Sequence, residues 1–178
     1  SSALLRVVSV NRSDSQRLVT STTPDANGNP VLDPESGKPV FAWIANGTDP
    51  ALALKNGKAY MPFGTPGGDV QIQAMLQVML NVLHFGMELQ EAIEAPRVSS
   101  YAFPSSFAPF DYFPRRLAVE TRIPEATRNA LAGRGHDIEE WPDITWLAGS
   151  VEAVMSDPAT GLVRAGADPR RPAYAIAG

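Results

Sequence analysis

The feature that most constrains this chain is a change of hydrophobic period between residues 51 and 83, made within the stretch Phe63-Gly64-Thr65-Pro66-Gly67-Gly68-Asp69. Ahead of it, two apolar runs, Ala51-Leu52-Ala53-Leu54 and Ala59-Tyr60-Met61-Pro62-Phe63, flank Lys55-Asn56-Gly57-Lys58. Asn-Gly between apolar runs predicts a type I′ hairpin, because both central residues must accept φ > 0. Behind it, Ile72, Met75, Leu76, Met79, Leu80 and Leu83 recur at spacings of three and four, with Gln71, Gln73, Gln77 and Asn81 elsewhere. That spacing predicts a helix laying one apolar face on a sheet, ended by Gly86.

A strand that turns into a helix through two glycines has a chemical use. Gly67 and Gly68 leave their backbone N–H groups uncovered, and the helix that follows adds partial positive charge, so the corner suits an oxyanion or a carboxylate. Pro66 stiffens the approach, and Asp69 is expected at the N-cap, accepting from amides two or three residues on. The same residues also fit an ordinary tight strand-to-helix turn, and pattern alone leaves both readings open.

The other elements point to α+β layering. Residues 39–44, 116–120, 150–156 and 161–165 read as strands, Glu88 to Glu94 as a short helix stopped by Pro96, and Pro124 to about Ala132 as another. Residues 98–114, rich in Ser, Pro, Phe and Tyr, carry no period and are expected as a long ordered loop with aromatic anchors. Residues 1–45 are the least readable, and the Ser1-Ser2 start reads as a processed or truncated end. Mixed strands and helices with at least one hairpin predict a sheet with antiparallel pairs covered by helices. The single Gly-rich turn lacks both the G-x-G-x-x-G order and the Lys-Ser/Thr of a phosphate loop.

Charge and composition narrow the partners and the chemistry. A formal charge of −4 with fifteen scattered Lys and Arg gives no basic surface for nucleic acid or anionic membrane. With zero cysteines there is no disulfide scaffold, thiol nucleophile or thiolate metal site. His84 and His136 are far apart, so neither a histidine base nor a metal centre is expected, and no cofactor is called for. Glu139, Glu140 and Asp143 read as solvated, and Arg170-Arg171 as structural ion pairs or carbonyl contacts near a sheet end.

The run from Ala51 to Arg97 closely resembles the small subunit of gamma-glutamyltranspeptidases. It carries Gly64-Thr65-Pro66-Gly67-Gly68-Asp69, then Asn81-Val82-Leu83-His84-Phe85-Gly86-Met87, then Leu89-Gln90-Glu91-Ala92-Ile93-Glu94-Ala95-Pro96-Arg97. Ile123-Pro124-Glu125, Ala132-Gly133-Arg134-Gly135-His136, Gly149-Ser150-Val151-Glu152-Ala153-Val154 and Gly166-Ala167-Asp168-Pro169-Arg170-Arg171 continue the likeness in order. It reaches to about residue 174 and divides the chain into a poorly matched segment, 1–47, and a small-subunit-like region, 48–178.

The resemblance implies part of an αββα four-layer sandwich of N-terminal-nucleophile hydrolase type, autoprocessed into a large and a small subunit. A threonine at the new N-terminus, activated by its own α-amine, would take the acyl group from a γ-glutamyl compound and pass it to water or an acceptor amine. Gly67 and Gly68 match the family's oxyanion-stabilising glycines. The family's Ser-Ser pair that binds the donor α-carboxylate falls on Asn46 and Gly47, where both hydroxyls are missing, so other amides enter as substrates. With Asp69, these are the candidate substrate-binding positions. Ser1 and the Thr22-Thr23 pair are the available echoes of a nucleophile, and the catalytic Thr or Ser is expected outside this chain. The implied partner is the large subunit or the remaining part of the precursor. Two alternatives stay open: an inactive member of the same fold, and a domain that uses the diglycine turn to hold a carboxylate.

Overall fold

The structure, a computed structural model, describes residues 51–157 and 160–175, together with the strand backbone at 5–9, 19–20, 41–42 and 48–50. Its elements in chain order are β1 (Leu5–Ser9), β2 (Val19–Thr20), β3 (Phe41–Ala42), β4 (Thr48–Lys55), β5 (Lys58–Pro66), α1 (Gln71–Leu83) and α2 (Leu89–Glu94). They continue with β6 (Val98–Ser100), β7 (Arg116–Glu120), α3 (Glu125–Gly133), β8 (Asp137–Trp141), β9 (Glu152–Ser156) and β10 (Val163–Gly166). The order β1-β4-β5-β9-β10 makes one antiparallel sheet, β6-β7-β8 a second and β2-β3 a short pair.

The hairpin forms as its turn dictates. Asn56 and Gly57 take φ of 55° and 81°, and the β4–β5 ladder runs from Lys55–Lys58 back to Thr48–Pro66 with an irregularity at Ala53/Leu54. Alternate residues of β5, Met61, Phe63 and Thr65, are buried, and with Ala51, Ala53 and Ala153 they meet α1 and α2 through Ala74, Val78, Leu89 and Ile93. In the second sheet β7 pairs antiparallel with β6 but parallel with β8, the crossover being α3.

Helix α1 is turned relative to its expected face. Gln71, Ala74, Met75, Val78 and Val82 are buried, while Ile72, Leu76 and Leu80 stand exposed in a row. The polar face explains the rotation. Gln77 donates to Val98 O at 2.9 Å and accepts from Val98 N at 2.9 Å, and Gln73 does the same with Ser100 O at 3.1 Å and Ser100 N at 2.8 Å. Two side-chain amides thus replace a missing strand along the outer edge of β6, a strand lying within the stretch expected to be an aperiodic loop. Satisfying those partly buried backbone groups outranks burying Ile72, Leu76 and Leu80, because an unmade buried backbone hydrogen bond costs about 1–3 kcal/mol.

The rest of the 98–114 stretch departs from expectation in a second way. Tyr101 is half-buried, but Phe103, Phe107, Phe110, Tyr112 and Phe113 face outward and do not anchor the loop in the core. What holds it is polar: Ser105 N donates to Asp111 O at 2.9 Å, Phe113 N to Tyr101 O at 3.3 Å, and the Arg116 guanidinium lies over the Tyr101 and Phe113 rings at 4.3 and 5.1 Å.

Where the end of α2, the end of β7 and the segment after β10 meet lies a knot of four charges. Asp168 takes Arg97 at 2.6 Å, Arg170 at 3.1 Å and Val151 N at 2.9 Å, while Glu120 takes Arg170 at 2.6 Å and Arg97 N at 2.9 Å. All four residues are buried. Arg170 also donates to Ile93 O and Ala95 O at the end of α2, so the structural role expected of it is met by both ion pairs and carbonyl contacts. Burial draws the Arg97 guanidinium below the ordinary arginine range, a pull its Asp168 partner only partly offsets.

Candidate functional site

The site is built where β5 gives way to α1. Gly67 (φ 142°) and Gly68 (φ 63°) are successive residues at positive φ, a backbone path open in practice to glycine. A 3-10 turn, Gly68–Val70, then leads into α1. Gly67 is half-buried and Gly68 exposed. Gly68 opens the turn and has no intrahelical acceptor for its N–H, and among the described residues neither glycine amide is engaged by a loop or turn carbonyl.

The corner is held from behind. Thr65 is buried, its hydroxyl donating to Pro66 O at 2.9 Å and accepting from Ser150 N at 2.7 Å. That bond draws the Thr145–Ser150 segment against the turn. Gly149, at φ 82°, lies so close that a Cβ there would meet Thr65 Oγ1 at 2.9 Å and Ala74 Cβ at 3.2 Å, and a Cβ at Gly67 would meet Gly149 Cα at 3.5 Å. The Gly149 backbone thus packs directly against Thr65, Ala74 and Gly67 and braces the turn from behind. Beside them, Glu152 accepts from the Ser150 hydroxyl at 2.8 Å, and burial raises its carboxyl above the usual range against that bond.

Asp69 does not cap the helix. No side-chain hydrogen bond caps either the 3-10 turn or α1, because the carboxylate turns outward and accepts from Ser105 Oγ at 3.0 Å and Ser106 N at 3.0 Å. Partial burial would raise its pKa, but the bonds from Ser106 and Ser105 outweigh that and hold it below the usual carboxylate range. Asp69 is thus the latch between the diglycine turn and the aromatic loop, and with Gln73, Tyr101, Phe103, Phe113 and Arg116 it lines a cavity of about 180 Å³. The latch sets the next residue in place. Phe107 N reaches the Ser105 hydroxyl at 3.2 Å, and the Phe107 ring lies on Gly68, where a Cβ would sit 3.2 Å from Cε2.

Of the sequence candidates, Gly67, Gly68 and Asp69 come together here, whereas Asn46 and Gly47, like Ser1, Thr22 and Thr23, lie outside the described residues. His84 and His136 are exposed. Among the described residues, no group of three or more His, Asp or Glu side chains could hold a metal ion, and no helix is long and apolar enough to cross a membrane. Sequence reading missed Phe107 and the Thr65–Ser150 bond. The first lay in a loop without period, and the second joins residues far apart in the chain.

Comparison with known proteins agrees with this layout. The family model described as gamma-glutamyltranspeptidase matches residues 44–178. The acylase ACY 1 proenzyme of Pseudomonas sp. (strain SE83) is 34% identical over 122 residues, 68% of this chain and 18% of that protein. The glutathione hydrolase-like YwrD proenzyme of Bacillus subtilis (strain 168) is 32% identical over 128 residues, 71% of this chain and 23% of that protein. Among solved structures, a gamma-glutamyltranspeptidase mutant from Helicobacter pylori superposes with a TM-score of 0.58 at 25% identity, covering 85% of this chain and 77% of that one. The chain thus spans about a fifth of the length of the curated relatives it matches.

Proposed function

This chain belongs to the gamma-glutamyltranspeptidase family, whose α+β fold is of N-terminal-nucleophile hydrolase type, and from that premise we propose that it supplies the oxyanion-binding corner of an amide hydrolase or acyltransferase. The observation that carries the reading is the pair of successive positive-φ glycines at a partly exposed turn, braced by Thr65, Ser150 and Gly149. A hydroxyl at the N-terminus of a processed chain gives its proton to its own α-amine, of pKa about 8, and attacks the substrate carbonyl carbon. The carbonyl oxygen takes the negative charge and meets the N–H groups of Gly67 and Gly68. The carbon–nitrogen bond then breaks, the proton leaves with the amine, and water or an acceptor amine removes the acyl group from the ester. In well-studied enzymes one such donor is worth about 3–4 kcal/mol of barrier.

The donor is a γ-glutamyl compound or another small amide. The names of the relatives, acylase and glutathione hydrolase, span that range. By the resemblance, the donor-carboxylate pair falls on Asn46 and Gly47, which lack hydroxyls, and this favours tolerance of donors other than γ-glutamyl. The exposed row Ile72, Leu76 and Leu80 favours cover by the large subunit or the remainder of the precursor, since apolar stripes of that length are rare on free surfaces.

The test uses the full-length protein. N-terminal sequencing should find self-cleavage ahead of a Thr or Ser, and hydrolysis of a γ-glutamyl anilide should vanish when that residue is changed to Ala. A full-length protein that neither cleaves itself nor hydrolyses any amide overturns the reading.

A further inference from the structure

The loop of residues 101–114 carries five exposed aromatic side chains, and one of them, Phe107, lies against Gly68 of the candidate chemical corner. Phe107 is 63% exposed, so its ring is not placed by core packing. It is placed by a relay of polar contacts, with the Asp69 carboxylate gripping Ser105 and Ser106 and the Ser105 hydroxyl gripping Phe107 N. The relay starts on the residue directly after Gly68 and ends with a ring against Gly68 itself, 3.2 Å from where a Cβ would stand. A side chain at Gly68 would press its Cβ on that ring and would have to adopt a φ of 63° that side chains rarely take, so glycine here serves both the turn and the close approach of the ring.

An exposed ring held beside anion-receiving amides, and left open on its other face, presents an apolar surface to whatever group flanks a carbonyl bound at the corner. Of the charged groups lining the neighbouring cavity, Asp69 is engaged by the serines and Arg116 by the Tyr101 and Phe113 rings and by Glu139, and Asp111 completes the lining.

We propose that Phe107 is a specificity-determining residue that contacts a ring-bearing or similarly apolar substituent next to the scissile amide, with Asp69 as the positioning residue that sets it there. The inference rests on the amide-hydrolase reading above and deepens it by naming the substrate class. The ring stacks on or edges against Phe107 while the carbonyl oxygen points at Gly67 and Gly68. The substituent can belong to the acyl side or to the leaving amine, which share this chemistry.

Two substrate pairs offered to the full-length, self-processed protein separate those sources. One pair places the ring on the acyl side, phenylacetyl against hexanoyl amides of a single amine. The other places it on the amine side, γ-glutamyl benzylamide against γ-glutamyl butylamide. In one pair the ringed member should be preferred, and Phe107→Ala should lower that ratio of kcat/KM by about 10–100-fold, the range a hydrophobic subsite commands, while Phe107→Tyr, which keeps the ring, preserves it. Asp69→Asn should lower the same ratio chiefly through KM, with Asp69→Glu restoring part of it. Equal losses on both members of each pair, or a preference that survives Phe107→Ala, would overturn the proposal while leaving the hydrolase reading intact. Failure of the self-processed wild-type protein to hydrolyse any of the four substrates would also overturn the proposal, while the hydrolase reading would still stand on the self-cleavage.

Discussion

Asp168 and Asp69 each tie together segments distant in sequence, but the two carboxylates are surrounded in opposite ways. Asp168 is fully enclosed and accepts from Arg97, Arg170 and Val151, inside a four-charge knot that also holds Glu120 and the last carbonyls of α2. Asp69 sits near the surface, accepts from one hydroxyl and one amide of a single loop, and leaves the rings of that loop in the open. The first arrangement fixes the frame on which the diglycine corner is built, because Val151 and Ala148 on either side of Gly149 are both bound to the knot. The second tunes what stands beside the corner. Frame and wall are thus held by different chemistry, and they should fail separately.

The largest effect should come from breaking the knot. Asp168→Ala leaves the buried Arg97 guanidinium without its carboxylate and Arg170 with Glu120 alone, and is expected to destabilise the fold by about 3–5 kcal/mol, read by chemical denaturation of the full-length protein. A loss under 1 kcal/mol would erase the contrast with Asp69. Gly149→Ala comes next. Its Cβ would press on Thr65 Oγ1 at positive φ, so about 1–3 kcal/mol of stability should be lost, with amide hydrolysis reduced as the corner shifts. Thr65→Val should cost about 1–2 kcal/mol, because Ser150 N loses its acceptor inside the protein. Asp69→Asn should change global stability by less than about 1 kcal/mol, as expected of a carboxylate in partial contact with solvent.

The latch also predicts a pH signature. The folded-state pKa of Asp69 lies below the ordinary value of 3.8, so its contribution is complete above that value and is lost as pH falls through the lowered one. Hydrogen exchange at the Ser106 amide should therefore accelerate in acid beyond its intrinsic trend, and the Asp69→Asn variant should show no such step.

What could be read in advance followed locality. The Asn56-Gly57 hairpin, the diglycine turn and the helix ended near Gly86 are decided by neighbours in sequence, and all three stand where their residues dictate. The orientation of α1 was not local. Gln73 and Gln77 look like solvent-facing residues until β6, some twenty residues on, presents bare backbone to them, and the leucine row then turns outward. Asp69 misled for the same reason. Its type and place satisfy the capping rule, but two donors on a later loop compete for the carboxylate and win. Arg170 was recognisable as structural, whereas its partners Glu120 and Asp168 become evident only once β7 and the tail meet.

The glutamine pair on α1 has one more consequence. A sheet margin with free N–H and C=O groups is a template onto which any extended polypeptide can zip, including a half-made copy of the same protein. On β6 the outward-pointing groups of Val98 and Ser100 are already taken by carboxamides that belong to a helix and cannot propagate a ladder. The helix thus acts as a terminator for that margin, guarding against misassembly.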